Sequence, residues 1–169
     1  MGILGLGFST ARFIVSANRE YTALQRITQN ENRYHQMFHE NQAIKLVIDP
    51  ETGRILEVNQ AAVDYYGYTA RKLFSMRIQD INIKPDWEVY LEMRRAKSNE
   101  RSFFEFQHRL ANGDIRDVDV FSSPVDTPDG QVLYSIIVDV TAQREAENRR
   151  EKLVDQLRKV IDHVAGGII

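Results

Sequence analysis

Histidines and closely spaced carboxylates are the side chains of this chain that could do chemistry. His35 and His39 stand four residues apart, a spacing that would place two imidazole ligands for a metal ion on one face of a helix. Because no third ligand lies near them, we favour two histidines in solvent or at an interface and predict no metal site. Asp114, Asp117 and Asp119 form an acidic group. The last two alternate with valines, so we expect them on the exposed or helix-covered face of a strand, where they make no general acid–base pair.

His108 is the histidine placed among core residues. It alternates with polar residues in a run that also contains Phe104, Phe106 and Leu110, so it could point into a pocket and titrate near neutral pH. The favoured alternative is a structural histidine that is hydrogen-bonded to a neighbour. The sequence shows no nucleophile paired with a base and no glycine loop that would cradle a phosphate. We therefore predict no catalytic residue and no enzyme activity in this chain.

The composition fits one compact domain with helical extensions. The chain has 169 residues, of which 43% are hydrophobic and 27% are charged. Its formal net charge is -2 and it has no stripe dense in Lys and Arg, so direct nucleic-acid binding is not expected. The absence of cysteine excludes disulfides, a thiolate nucleophile and Cys-ligated metal sites, and it is compatible with the cytoplasm.

Five strands and several short helices are predicted to position these side chains. Strands at 44–49 and 54–58 flank a tight turn that contains Pro50 and Gly53. Three further alternating or apolar runs lie between residues 102 and 140 and are separated by glycine turns, which predicts an antiparallel meander. Short helices lie between the two groups of strands, and this order indicates an α+β arrangement.

Helices are predicted at both ends. Apolar residues fall three or four apart from Ser16 to Phe38 without proline or glycine, which predicts a long amphipathic helix. The apolar residues 1–15 are fewer than the roughly 20 that cross a bilayer. They are either the end of a membrane helix or a hydrophobic or disordered chain start. The predicted organisation is an apolar segment (1–15), an N-terminal helix (16–41), a folded domain (42–141), a linker helix (142–164) and the start of a further element (165–169).

The last helix carries a heptad-like seam. Its members follow a 4,3,4,3,4 spacing with one charged interruption. About two and a half heptads are present. A coiled coil and a helix that folds back on its own domain are therefore both open. The seam consists of Ala146, Arg150, Leu153, Leu157, Val160 and Val164.

The order and spacing of these segments resemble the PAS family of sensory domains, in the S-box type found in bacterial signalling proteins. The match covers about residues 31–141, and its motifs are Asp49-Pro-Glu-Thr-Gly53, Val58-Asn-Gln-Ala-Ala62, Tyr66-Gly-Tyr68, Asp80-Ile-Asn82, the strand from Phe106 to Gly113, Ser122-Ser-Pro-Val125 and Asp139-Val-Thr141. The resemblance implies an α+β PAS fold with a five-stranded antiparallel sheet, short helices over one face and long flanking helices. It also implies a module that senses a ligand or relays conformational change to a histidine kinase or cyclic dinucleotide enzyme outside this chain. The alternative is a ligand-free dimerisation module.

The resemblance further implies a ligand cavity between the sheet and the helix that follows Pro85. A covalent flavin adduct is excluded because the chain has no cysteine, and haem is not expected because residues 85–99 contain no histidine. Non-covalent flavin, another small molecule and a filled core remain open, since aromatic residues at helical spacing also build a plain core. The candidate ligand-binding residues are Tyr66, Trp87, Tyr90, Leu91, Phe106, His108, Val120, Ser122 and Ile137.

Asp139, Thr141 and Arg144 form a predicted signal hinge between the last strand and the linker helix. We expect Thr141 to cap that helix and Asp139 to pair with Arg144 or another basic group. The resemblance raises the expectation of a homodimer through the flanking helices. It also implies a cytoplasmic location, either alone or as the cytoplasmic part of a membrane-anchored sensor.

Overall fold

The computed structural model describes residues 4–166, and it describes the side chains of residues 15–165. They fall into two compact units, one that ends at Asn41 and one that begins at Gln42. The elements in chain order are α1 (Leu4–Phe38), β1 (Ile44–Ile48), β2 (Ile55–Val58), α2 (Gln60–Tyr66), α3 (Ala70–Phe74), α4 (Ile78–Ile81), α5 (Asp86–Lys97), β3 (Phe103–Arg109), β4 (Ile115–Thr127), β5 (Gly130–Asp139) and α6 (Thr141–Gly166).

The second unit has the predicted α+β architecture. Its five strands form one antiparallel sheet in the order β2-β1-β5-β4-β3, so the first hairpin closes onto the last strand of the meander. Alternate residues of β5, including Leu133, Ser135 and Ile137, are buried on the helix-covered face. The predicted face of β3 is confirmed, since Phe104 and His108 are buried.

Asn59 fixes the first short helix to the sheet. Its side-chain oxygen accepts hydrogen bonds from the backbone N–H groups of Ala62 and Lys45, each at 3.0 Å, and its amide donates to the Ala43 carbonyl at 2.7 Å. The first of these bonds caps α2, and the other two hold the cap against β1. Gly67 ends the helix with a φ of 72°, the left-handed conformation that glycine adopts without strain.

Helix α5 forms the lid over the sheet. It begins directly after Pro85, with acidic residues in its first turn and basic residues in its last turn, as the helix dipole favours. The face that it buries carries Val89, Met93 and Ala96, at a spacing of four and then three residues. This face meets the sheet and supplies one wall of the core.

The two terminal helices are longer than the segments assigned from sequence. Helix α1 includes residues 4–15 and ends at Phe38, and α6 runs from Thr141 to Gly166, while residues 167–169 of the predicted further element lie outside the described part of the chain. No helix in residues 4–166 is long and apolar enough to span a membrane. From Glu145 to residue 165, every side chain of α6 is exposed, so this helix does not fold back on its own domain.

Candidate functional site

A small cavity lies between α5 and the inner face of the sheet. About 40 Å³ of it is open to the centre of a water molecule, and apolar residues such as Leu46, Val89, Met93 and Leu133 make most of its wall. One water needs roughly 10–15 Å³ by this measure, so the space equals about three waters. Pockets for drug-sized ligands are roughly 300–1,000 Å³. The cavity therefore has room for a molecule of a few heavy atoms.

The structure brings together most of the candidate ligand-binding residues on the sheet. Five of them line the cavity: Phe106, His108, Val120, Ser122 and Ile137. They belong to β3, β4 and β5, and the strand pairing places Val120 directly opposite both Phe104 and Ile137. Tyr66 is fully buried and lies behind His108 instead of on the cavity wall.

The candidates on α5 do not line the cavity. Trp87 is 65% exposed, Leu91 is 48% exposed and Tyr90 is 39% exposed. The rotation of α5 turns Val89 and Met93 inward, and the aromatic residues lie on the outer face of the helix. The aromatic rings of α5 were candidates for stacking on a flat cofactor. The signal for the buried face was instead the apolar spacing of Val89, Met93 and Ala96, at i, i+4 and i+7.

His108 and Tyr66 form a buried hydrogen-bonded pair. The Tyr66 hydroxyl lies 2.9 Å from His108 Nδ1. Burial lowers the pKa of His108 to about 4 and raises the pKa of Tyr66, so at neutral pH both groups are uncharged. We assign the phenol as donor to Nδ1, because a buried hydroxyl hydrogen needs an acceptor. His108 then carries its own proton on Nε2, at the cavity.

Sequence reasoning missed three further polar residues of the cavity. Asn82, Glu92 and Ser135 all contribute to its lining. Ser135 pairs with Ser122 across the sheet, and their hydroxyls lie 2.9 Å apart, so the register of β4 and β5 would have revealed it. Asn82 comes directly after α4, and Glu92 lies in α5. No local sequence pattern indicates that either side chain points into the cavity.

The start of α6 is the second candidate site. Asp139 accepts hydrogen bonds from the backbone N–H of Thr141 at 2.9 Å and from the Tyr65 hydroxyl at 3.0 Å. Partial burial acts to raise the pKa of Asp139, but the hydrogen bonds from Thr141 and Tyr65 outweigh it and hold the pKa below its usual value. The ionised carboxylate thus joins α2, β5 and the first turn of α6.

Thr141 differs from its predicted role as a side-chain cap. Its hydroxyl accepts a hydrogen bond from the backbone N–H of Asp117 at 2.9 Å, which ties α6 to β4. The carboxylate of Asp139 binds the backbone N–H of Thr141 instead, and the Val140 carbonyl accepts the first helical bond from Arg144 at 2.9 Å. Asp139 can cap the helix from two residues upstream because it is the last residue of β5, and only Val140 separates it from the start of α6.

Arg144 binds the sheet and not Asp139. Its guanidinium lies 3.0 Å from Asp119 and 3.7 Å from Asp117, and it also pairs with Glu105. These three carboxylates lie on β3 and β4, which matches the expected helix-covered face for the two aspartates. The basic group that acts electrostatically on Asp139 is Arg116.

His35 lies in the last turn of α1, and His39 is the first residue after this helix. The rings of His35 and His39 have their centroids 4.9 Å apart. Among the described residues, no three His, Asp or Glu side chains are grouped so that they could hold a metal ion.

Comparison with known proteins places the sheet and its helices in one family. A family model described as a PAS domain matches residues 43–142, more than half of the chain. The chain belongs to the PAS family. Its structure also superposes on the PAS domain of an HTR-like protein from Haloarcula marismortui, with a TM-score of 0.62 and 22% identity over 70% of this chain and 98% of that one.

Longer signalling proteins also contain segments similar to this PAS domain. Diguanylate cyclase DgcM of Escherichia coli is 27% identical over 121 residues, which are 70% of this chain and 29% of that protein. Sensor histidine kinase TmoS of Ectopseudomonas mendocina is 26% identical over 159 residues, which are 89% of this chain and 16% of that protein. The chain thus spans less than a third of each. This PAS domain is a sensory module of signal transduction.

Proposed function

We propose that this PAS domain couples the packing around its cavity to the position of α6, and that α6 drives an output domain outside residues 1–169. The observation that carries this proposal is that the same strands serve both sites. Val120 of β4 lines the cavity, and the preceding residue, Asp119, binds Arg144. Ile137 lines it from β5, two residues before Asp139.

Movement of these strands must act on α6, because three kinds of bond hold its first turn. Asp139 caps it, Thr141 binds the backbone of β4, and Arg144 pairs with carboxylates of β3 and β4. A shift of β4 relative to β5 would have to break or move these bonds. The tilt or register of α6 would then follow the state of the cavity.

The output domain that we propose is a histidine kinase or an enzyme of cyclic dinucleotide metabolism. The relatives named above as a sensor histidine kinase and a diguanylate cyclase support these two classes. Catalysis would then belong to that domain, and we propose no catalytic residue in this chain. We also propose that the PAS domain works in the cytoplasm.

A homodimer through the flanking helices is part of the same proposal. Leu153, Leu157, Val160 and Val164 of α6 are all more than half exposed and follow the seam spacing. A second copy of α6 would cover this apolar seam and would transmit a change in tilt or register. A ligand-free dimerisation module is the second candidate function, and the small size of the cavity favours it.

The cavity size bears on the choice of ligand. A space equal to about three waters supports a ligand smaller than the ring system of a flavin or a haem. We therefore propose a small ligand in place of non-covalent flavin, and the mechanism needs only that the ligand changes the packing of β3, β4 and β5.

The experiment is an Asp139→Ala substitution in a protein that joins this chain to the proposed output domain. We expect output activity to lose its response to stimulus while the PAS domain still folds, because the alanine releases Thr141 and Tyr65 together. Asp139→Asn keeps an acceptor oxygen and should restore part of the response. Asp129→Ala, at the exposed hairpin tip, is the matched control. Wild-type signalling by the Asp139→Ala variant would refute the relay.

A further inference from the structure

The cavity contains three polar atoms that have no hydrogen-bond partner within the described structure. They are His108 Nε2, Asn82 Nδ2 and Glu92 Oε2. Leaving a buried polar group unpaired destabilises the folded state. Native proteins satisfy such groups with ordered water or with a ligand. The three atoms therefore describe the hydrogen-bonding pattern of whatever occupies the cavity.

Two of the three atoms, His108 Nε2 and Asn82 Nδ2, are donors, and they belong to residues whose backbones are paired. Asn82 forms an isolated antiparallel bridge with His108, and Ile83 N–H donates to the Gln107 carbonyl at 2.9 Å beside it. The Asn82 side-chain oxygen already accepts from the backbone N–H of Lys84 at 2.9 Å, which assigns Nδ2 as the free group. With His108 protonated on Nε2, the wall offers two N–H donors from one place to an incoming acceptor.

The third atom sets the charge of the occupant. Glu92 is bound to Arg95 through Oε1 at 3.0 Å. Its Oε2 lies 3.9 Å from Arg101 Nη1, beyond hydrogen-bond distance, so Oε2 still offers an acceptor at the cavity. Among the described residues that line the cavity there is no Lys or Arg, and His108 is neutral because burial lowers its pKa to about 4. A buried anion would approach the Glu92 carboxylate, and the two cations that pair with this carboxylate, Arg95 and Arg101, do not line the cavity.

We propose that the cavity binds a small neutral amide or hydroxy-carbonyl compound of about four heavy atoms, with its carbonyl oxygen on His108 Nε2 and Asn82 Nδ2 and its N–H or O–H on Glu92 Oε2. This proposal rests on the sensory function above and names its ligand class. A neutral ligand with one carbonyl acceptor and one N–H or O–H donor would provide a hydrogen-bond partner for each of the three atoms. The space equal to about three waters limits the ligand to this size.

Acetamide and acetate are the matched probes, because they share shape and size and differ in charge and in the N–H₂ group. Each would be titrated at pH 7 and constant ionic strength into the full chain labelled with ¹⁵N, and the side-chain resonances of His108 and Asn82 would be followed by NMR. We expect saturable shifts with acetamide in the millimolar range and at least tenfold weaker binding of acetate. Equal binding of acetate, or shifts that never saturate with acetamide, would overturn the proposal, and the latter would show a cavity that holds only water.

Asn82→Asp tests the donor directly. It keeps the oxygen that accepts from Lys84 N–H and replaces the Nδ2 donor with a second acceptor. We expect acetamide affinity to fall at least tenfold in the folded variant, whereas Asn112→Asp, in an exposed hairpin turn, should bind as the wild type does. Unchanged affinity in a folded Asn82→Asp variant would refute the donor role. If that variant does not fold, the comparison of acetamide with acetate on the wild type still decides.

The outcomes separate this inference from the proposed function. Absence of acetamide binding, together with the expected loss of signalling in Asp139→Ala, would reject the ligand class and retain the relay. Saturable acetamide binding with unchanged signalling in Asp139→Ala would retain the ligand class and reject the relay.

Discussion

His108 is the most strongly perturbed titratable residue with a role at the cavity. Its ring is almost completely buried, hydrogen-bonded to Tyr66 and uncharged at neutral pH. The less favoured alternative was a titration near neutral pH, whereas burial lowers the pKa of His108 to about 4 because it penalises the imidazolium ion. His108 therefore acts as a hydrogen-bond donor that stays uncharged at neutral pH. It is hydrogen-bonded to a neighbour and it also lines a pocket, so it combines the two predicted roles.

The lowered pKa of His108 makes stability depend on pH. Between about pH 6.5 and 4 the unfolded chain holds an imidazole proton that the folded chain does not, so the free energy of unfolding falls as the pH drops through this window. The difference between 6.5 and about 4 corresponds to about 3 kcal/mol at the acidic end. Urea unfolding between pH 7 and 4.5 measures the slope.

The comparison variant is His108→Gln, whose side-chain oxygen can still accept from Tyr66. We expect its unfolding free energy to be lower at pH 7 but to change less with pH than that of the wild type. His163→Gln, on the exposed surface of α6, should keep the wild-type slope. The same slope in His108→Gln and the wild type would contradict the assignment to His108.

The first turn of α6 is the element that connects sheet and helix. Arg144 in this turn pairs with residues distant in sequence, Glu105 in β3 and Asp117 and Asp119 in β4. Asp139, two residues before the helix, caps the turn and is itself bound by Tyr65 of α2. The side chain of Arg144 is 29% exposed, so its ion pairs are only partly screened by solvent. This turn is therefore more firmly held than the exposed remainder of α6.

Arg144→Gln should loosen this turn. The change removes the cation from three neighbouring carboxylates, so we expect opening of residues 141–147 to become easier by about 1 kcal/mol, or roughly fivefold in amide hydrogen exchange. Added salt should reduce the difference, because it screens the remaining carboxylates. Exchange in the core strands should not change.

Arg149→Gln makes the same substitution at an exposed position of the same helix and should leave the exchange of residues 141–147 unchanged. If Arg144→Gln and Arg149→Gln give the same exchange rates in this turn, the ion pairs of Arg144 do not hold α6 to the sheet.

The whole chain has an apolar seam on α6 that its own fold leaves exposed. Leu153, Leu157, Val160 and Val164 face solvent in a single chain, and no part of the second unit covers them. Exposed apolar residues in a helical repeat are typical of a surface that pairs with another helix. At this scale the heptad spacing supports the proposed dimer.

Leu157→Glu should weaken that dimer. It places a charge at the middle of the seam, so we expect the dissociation constant to rise at least tenfold in sedimentation equilibrium, while the PAS domain keeps its circular dichroism spectrum. Arg158→Gln, an adjacent position off the seam, makes the same change in net charge and serves as the control. A monomeric wild-type chain, or equal association of Leu157→Glu and wild type, would contradict the proposed interface.

The amino-acid sequence by itself determined the order of strands and helices, because the signals involved are local. Alternation in β3, the glycine turns of the meander and the caps at Asn59 and Gly67 each depend on residues a few positions apart. The same holds for five of the sheet residues proposed for the cavity, since a strand's period of two already separates its faces.

Only the tertiary structure decided which partners these elements meet. The rotation of α5 about its axis buries Val89 and Met93 and leaves Trp87 and Tyr90 exposed. The register of β4 against β5 places Ser122 opposite Ser135. The partners of Arg144 and the convergence of Asn82, Glu92 and His108 depend on contacts between residues far apart in sequence. Such contacts follow from how packed elements fill space together, which a local pattern does not specify.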